Sequence, residues 1–261
     1  MVESLLSRVA ISGVSMIFVV VGLYMLNTGR TARARSERID DTETTAVREL
    51  QPGTAEVKGV ARPAADGDVM ESPITESEAL ATHVEMEEWE SSGQGGGSWT
   101  TKHEDRAAVP MVVDDGTGEV RVDLPADGDL NVEKSRWKVG SGDEPPERIE
   151  RYLEAESEID TATRRDIGPL SIGERRRYSE GLIEPGEEVY VLGAAREEQS
   201  DWGERSYAID ATTDSGDFVL SDKSESELVN EGKRGGLVLL AFGVVFLLSG
   251  LFGTVIPWIG A

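Results

Sequence analysis

Residues 235–261 read GGLVLLAFGVVFLLSGLFGTVIPWIGA, 27 consecutive positions without a charged side chain. At about 1.5 Å of rise per residue, a 20-residue helix covers roughly 30 Å, the hydrocarbon thickness of a bilayer. The run is too long and too uniformly apolar for an ordinary core helix, so it reads as a membrane span. A second charge-free run of 21 residues lies at Val9–Gly29 (VAISGVSMIFVVVGLYMLNTG). A signal peptide is the competing reading there. Only Arg8, against Glu3, precedes the run, and the following NTGRTARARS offers no small-x-small cleavage site. Tyr24 and Trp258 stand near span ends, where amphipathic rings favour the interface. The expected organisation is an N-terminal transmembrane helix (1–29), a charged linker (30–53), a β-rich soluble domain (54–230) and a C-terminal transmembrane helix (235–261).

The charges sit between the spans. The chain holds 50 Asp+Glu against 26 Lys+Arg, a net charge of −24, and only Glu3 and Arg8 fall outside the central segment. Two histidines and no cysteine leave no disulfide framework, no cysteine nucleophile and no cysteine-bound zinc within these 261 residues. An acidic chain lacks the clustered Lys and Arg that phosphate binding needs, so no nucleic-acid partner is expected. Arg30, Arg33, Arg35, Arg38, Lys233 and Arg234 border the central segment, against Arg8 and the α-amino group on the other side. That excess places the soluble domain in the cytoplasm and both termini outside. The same arginines could rest on anionic headgroups at about 1 kcal/mol each, although setting topology is a sufficient role. Six Lys against 20 Arg, with diffuse acidity, fits a surface kept hydrated in a very salty cytoplasm.

Within the central segment, residues 30–50 read as a linker or a helical extension of the first span. Strand alternation begins at Ala55–Ala61 (AEVKGVA) and recurs at Ala79–Trp89 (ALATHVEMEEW). In the latter, His83, Glu85 and Glu87 fall on a polar face, so His83 reads as a solvated strand residue. Ser91–Ser98 (SSGQGGGS) is a flexible loop, with no Lys-Ser/Thr after it to make a phosphate cradle. Val109–Val113 and Glu119–Leu124 flank DDGTG, a strong hairpin signal. Asp114 and Asp115 therefore read as turn formers rather than a carboxylate pair or a calcium loop. Pro145–Ser157 is the one clear soluble helix, with Ile149, Tyr152 and Leu153 on one side. Arg164–Arg165 and Arg175–Arg177 are basic clusters that nearby Glu154, Glu156, Glu174 and Glu180 could offset. Further strands are expected at 189–192, 206–211 and 218–221. A helix N-cap is expected at Ser221, Asp222 or Ser224, the last with Glu227 as a capping box. The sum is an α+β domain of five to eight strands, arranged as a small OB-like Greek-key barrel with one or two helices. Trp89, Trp99, Trp137 and Trp202 lie in acidic surroundings, unlike an OB face that stacks bases.

Five pieces stand in a recognisable order: EVKGVA at 56–61, SPIT at Ser72–Thr75, VDDGTGEVRVD at Val113–Asp123, EGLIEPGEEVYVLG at Glu180–Gly193 and FVLSDKSESEL at Phe218–Leu228. The last runs straight into the second span. Over roughly residues 9–258 this resembles the GIDE (beside-a-membrane) domain of the mitochondrial E3 ubiquitin ligase family Mulan and its prokaryotic relatives. The resemblance implies a domain tied to ubiquitin-type transfer. In that family the transfer rests on a zinc-binding RING finger after the second span, and no cysteine is present here to build one. No residue is therefore assigned a catalytic, cofactor-binding or metal-binding role, and no cofactor is expected.

Three functions compete at this level. The first is a membrane-anchored, non-catalytic interaction or scaffold module whose partners are the lipid bilayer and a protein. The second is a component of an E3 ubiquitin-type ligase whose RING comes from another chain. The third is a hydrolase using Asp and Glu, which would need two carboxylates at a set separation in a cleft. A homo-oligomer through the spans is a further expectation, from the small-xxx-small step Ser249 and Gly253 with Gly243 and Gly250 nearby.

Overall fold

The computed structural model describes residues 2–64, 68–92, 96–155, 165–167, 170–172, 175–199 and 205–255. They fall into two compact units, Met1–Glu43 with Glu225–Ala261, and Thr44–Ser224. In chain order the elements are α1 (Val2–Asp41), a 3₁₀ turn (Val47–Glu49), β1 (Gly53–Pro63), β2 (Met70–Glu71), β3 (Glu78–Ala79), β4 (Ala81–Ser91), β5 (Gly97–Ala108), β6 (Met111–Asp114), β7 (Glu119–Val122), β8 (Asp129–Asn131) and β9 (Lys134–Val139). There follow α2 (Glu147–Ala155), β10 (Arg165–Ile167), β11 (Leu170–Ile172), β12 (Arg176–Ile183), β13 (Glu188–Gln199), β14 (Arg205–Ala211), β15 (Val219–Ser221) and α3 (Glu225–Val255). The α+β class holds: among the described residues three α-helices accompany a β-rich body, and long apolar helices flank it in sequence. The strands outnumber the expected five to eight, because polar strands and two-residue strands carry no alternation signal.

The unit Thr44–Ser224 contains a five-stranded barrel. Its strands run β1-β6-β7-β14-β13, and β13 closes back onto β1 with Gly53–Val60 against Glu188–Ala195. Numbered in chain order, the barrel strands follow the circuit 1-2-3-5-4. Every pair is antiparallel except β7 with β14. This is the OB-like Greek-key closure, which leaves the barrel strands no free edge. Its core is the alternating set of Val57, Met111, Val113, Val120, Val122 and Ile209, all fully buried, closed by Leu130, Phe218 and Leu220. Each such side chain contributes about 1.5–3 kcal/mol on burial.

Buried and half-buried acids strap loops to this barrel. Glu56 is fully buried; it accepts from Thr44 Oγ1 at 2.6 Å and Tyr190 OH at 2.9 Å, and pairs with Lys58 Nζ at 3.1 Å. In the DDGTG turn, Gly116 takes a φ of +81°, which a side chain would resist. Asp114 Oδ1 accepts from Gly116 N–H, while Asp115 accepts from Thr117 N–H, Gly118 N–H and, 68 residues away, Val47 N–H at 2.8 Å. The turn reading of both aspartates stands. Burial tends to raise the Asp115 pKa, but these hydrogen bonds outweigh it and hold the carboxyl below its ordinary value. A depressed carboxyl stabilises the fold fully above its unfolded pKa and loses that contribution as pH falls through the folded one. Asp115→Ala is therefore expected to cost about 1–2 kcal/mol near neutral pH and less in acid. Urea unfolding of the full chain in detergent across pH measures it; a cost that does not shrink in acid contradicts the assignment.

The two long connections of the barrel build a second sheet. β4 and β5 come from the segment between β1 and β6, β9 and β12 from the segment between β7 and β13, and they join as β5-β4-β12-β9. One face carries Val84, Met86, Tyr178 and Val139 into a core completed by Ile74 and by Ile149, Tyr152 and Leu153 of α2. The expected α2 stripe is thus the buried one. The glycine-rich stretch 91–98 is the tip of the β4–β5 hairpin, with 93–95 outside the described residues.

In the other unit, α1 and α3 pack antiparallel. Residues 30–41, the first part of the expected linker, continue the first helix. Both helices are long and apolar enough to cross a membrane, and Ile17, Val20, Leu23, Phe242, Val245 and Phe252 project from the pair. α3 starts one residue after Ser224, the third of the N-cap candidates. A Cβ on Gly243, Gly250 or Gly253 would run into α1, so these small residues serve packing within one chain. Trp258 lies outside the described residues.

Candidate functional site

The second sheet's other face is covered with ions. Strand alternation puts His83, Glu85 and Glu87 of β4 on it, Glu104 and Arg106 of β5, Ser179 and Arg177 of β12, and Lys134, Arg136 and Lys138 of β9. His83 Nε2 lies 2.8 Å from Glu104 Oε1 and 3.7 Å from Glu85 Oε1. Its Nδ1 faces the Leu130 carbonyl at 3.3 Å. Lys134 Nζ sits 2.9 Å from Glu85 and 3.4 Å from His83 Nε2. Arg106 bonds Glu104 and reaches the Gly128 carbonyl at 3.2 Å. Burial works against the Glu104 charge, but hydrogen bonds from Arg106 and His83 outweigh it and hold the carboxyl below its ordinary range.

His83 is consequently not a solvated residue: it is 5 % exposed. The polar face of β4 is buried at His83 and half-buried at Glu85 and Glu87, under neighbouring ions rather than apolar groups. His83, Glu85 and Glu104 bring three donor atoms within 4.8 Å of one another. Imidazole and carboxylates suit a divalent cation, yet two cations already neutralise this set. A metal would have to displace Lys134 and sit beside Arg106. The cluster's chemistry is that of a satisfied ion network.

Toward the hairpin tip the face turns aromatic. Trp89 and Trp99 meet edge-on at 5.5 Å, with Arg175 over Trp89 at 4.7 Å and Arg177 over Trp99 at 4.8 Å. On the other face Arg148 stacks on Trp137 at 4.9 Å. Three of the four tryptophans expected in acidic surroundings thus carry an arginine; Trp202 lies outside the described residues. The Arg175–Arg177 cluster is offset not by sequence neighbours but across strands. Arg177 takes both oxygens of Glu87, and Arg176 pairs with Glu88 at 3.4 Å. Arg164, Glu156 and Glu174 lie outside the described residues.

A second site rich in acids is a cavity of about 320 Å³ whose lining includes Glu133, Glu184, Glu187 and Asp222 together with Lys134. Burial, then the charges of Asp222 and Glu184, raise the Glu187 pKa. Burial, with the Glu133 charge, raises that of Asp222. Asp222 nevertheless has structural work: its Oδ2 accepts from Glu133 N–H at 2.8 Å.

The motif residues share that character. Glu180 of EGLIEPGEEVYVLG is buried and accepts from Ile74 N–H, Thr75 N–H and Thr75 Oγ1 of SPIT, at 2.7–2.8 Å. Ser221 of FVLSDKSESEL donates to the Asn131 carbonyl and accepts from Lys223 N–H at 3.0 Å. Two separated motifs therefore meet as one strap. Sequence reading missed Glu104, Arg106, Lys134, Arg136 and Lys138. The available signal was KSRWKV at 134–139, basic at every second position.

Comparison with known proteins adds the family. The GIDE family model, described as E3 ubiquitin ligase, matches residues 81–255, about two thirds of the chain. Neither the curated proteins nor the solved structures gave a match. The matched span takes in the ion-covered face, Glu180 but not its SPIT donors, the FVLSD clamp and the second long apolar helix, and the chain accordingly belongs to the GIDE family.

Proposed function

We propose that this chain is a membrane-anchored, non-catalytic interaction module. Its soluble unit would lie in the cytoplasm, both termini outside, and a protein partner would be held beside the bilayer. The observation behind this reading is the use made of the acids. Glu56, Asp115, Glu180 and Asp222 bind backbone or side-chain donors of the fold, and the His83 cluster is neutralised by Lys134 and Arg106. Carboxylates committed in this way are poor general acids or nucleophiles. A second reading is favoured by the family description alone: a component of an E3 ubiquitin-type ligase, with the zinc-binding part on another chain.

The absence of cysteine gives a clean test of placement. Asp127→Cys, in an exposed turn, supplies a single thiol. A membrane-impermeant maleimide is expected to label it only after the membrane is opened; labelling in intact cells overturns the cytoplasmic assignment. In-cell crosslinking of the full chain should then give the same protein adduct in repeated experiments, and none would leave the module without a partner. Transfer of a ubiquitin-like protein onto that adduct would favour the ligase-component reading.

A further inference from the structure

The ion-covered face is short of negative charge along one border. In register across the sheet, Glu85, Ser179 and Arg136 form one row and Glu87, Arg177 and Lys138 the next. Glu87 already holds Arg177 with both oxygens. Lys138 then stands directly opposite Arg177, an unfavourable cross-strand pair of like charges. Arg136 faces only Ser179. Both β9 cations are exposed, and among the described residues no carboxylate pairs with either. Among the described residues this face sets six cations (Arg106, Lys134, Arg136, Lys138, Arg175, Arg177) against three carboxylates (Glu85, Glu87, Glu104), inside a chain of net charge −24.

The same border is a strand edge. β9 ends the sheet order β5-β4-β12-β9, so its outer N–H and C=O groups face no strand among the described residues. Basic residues on an edge also deter self-association. That role explains charge on an edge; it does not explain a like-charge row whose next position calls for an acid.

We propose that the β9 edge takes an extended acidic segment of a partner protein, which adds a fifth strand to this sheet. Its carboxylates, at alternate positions, fall opposite Arg136 and Lys138, where directly paired side chains have Cβ atoms about 4.5–5.5 Å apart. Its intervening residues fall on the other face, beside exposed Ser135 and half-buried Trp137, whose ring already carries Arg148. Lys134 is engaged with Glu85, so two acids are read, not three. Main-chain hydrogen bonds carry affinity and the two cations carry selectivity. A polypeptide is the occupant because neither a lipid headgroup nor a nucleic acid can pair with the strand edge. This names the partner chemistry of the interaction module proposed above and rests on that reading.

The test uses the full chain in zwitterionic micelles and a fluorescein-labelled VEVEVEV peptide. Expected results are saturable binding by anisotropy, hydrogen-exchange protection at residues 134–139, and weakening of about tenfold or more in the double variant Arg136→Glu, Lys138→Glu. The block peptide EEEVVVV and an amide-methylated VEVEVEV should bind much less. No saturable binding overturns the proposal. So does equal binding of the block peptide, indifference to the double charge reversal, or protection of 134–139 by anionic lipid without peptide. If the in-cell adduct persists while VEVEVEV fails, the module reading stands and the edge assignment falls.

Discussion

Glu180→Ala is expected to destabilise the soluble unit by about 3–5 kcal/mol. Three donors converge on the Glu180 carboxylate: Ile74 N–H at 2.7 Å, Thr75 N–H at 2.8 Å and Thr75 Oγ1 at 2.7 Å. Hydrogen bonds to a charged acceptor contribute about 1.5–3 kcal/mol each in a protected site. Alanine removes the acceptor and leaves the Ile74 N–H without its partner. The damage does not stop there, because the strapped turn delivers fully buried Ile74 to the core under α2. Glu180→Gln separates the two effects. One amide oxygen can still accept, while the NH₂ end faces donors, so a cost between wild type and alanine is expected. Urea unfolding of the full chain in detergent, followed by tryptophan fluorescence, gives both numbers. An alanine variant within about 1 kcal/mol of wild type would show that the strap is decorative.

That strap also shows which parts of the fold were legible. Charge-free runs exposed the two long helices, because a bilayer-length apolar stretch needs no partner to be recognised. The DDGTG hairpin and the Ile149–Tyr152–Leu153 stripe were legible because turn chemistry and helical period act locally. The second sheet was not. Its central pairing joins Ala81 to Ile183 and Glu88 to Arg176, strands roughly a hundred residues apart. Its border strand GSWTTKHEDRAA has no apolar face to betray it, and KSRWKV offers only Trp137 and Val139 between its three cations. The misreading of His83 has the same root. Alternation correctly assigned it to the polar face, but whether a polar face meets water or other ions depends on the strands laid beside it. The ion-covered face could only be assembled once Lys134 and Arg106 arrived from elements distant in sequence.

The membrane-unit prediction with the largest effect concerns Gly22. Ser15, Gly22, Gly29 and Ser36 recur every seven residues on α1, as do Gly236, Gly243 and Gly250 on α3. They meet in antiparallel order, Ser15 with Gly250, Gly22 with Gly243 and Gly29 with Gly236. A seven-residue repeat keeps one seam facing the partner helix, and small residues there let the backbones approach closely. A Cβ on Gly22 would lie 2.6 Å from Leu247 N and 2.9 Å from Gly243 O. Those are backbone atoms, which no rotamer change can move, so Gly22→Leu must push the helices apart. Gly235 provides the control, since a Cβ there meets nothing within 4 Å. A Cβ on Gly253 lies 3.0 Å from Ser15 Cβ, about 0.5 Å inside the 3.5–4.5 Å of a disulfide, so a small adjustment suffices to bridge them. In this cysteine-free chain, Ser15→Cys with Gly253→Cys should therefore oxidise readily in membranes. Gly22→Leu is expected to slow that oxidation about tenfold or more, and Gly235→Leu to leave it unchanged. Equal rates in all three backgrounds would mean that the glycine seam does not set the spacing of the pair, and the heptad of small residues would lose its physical role.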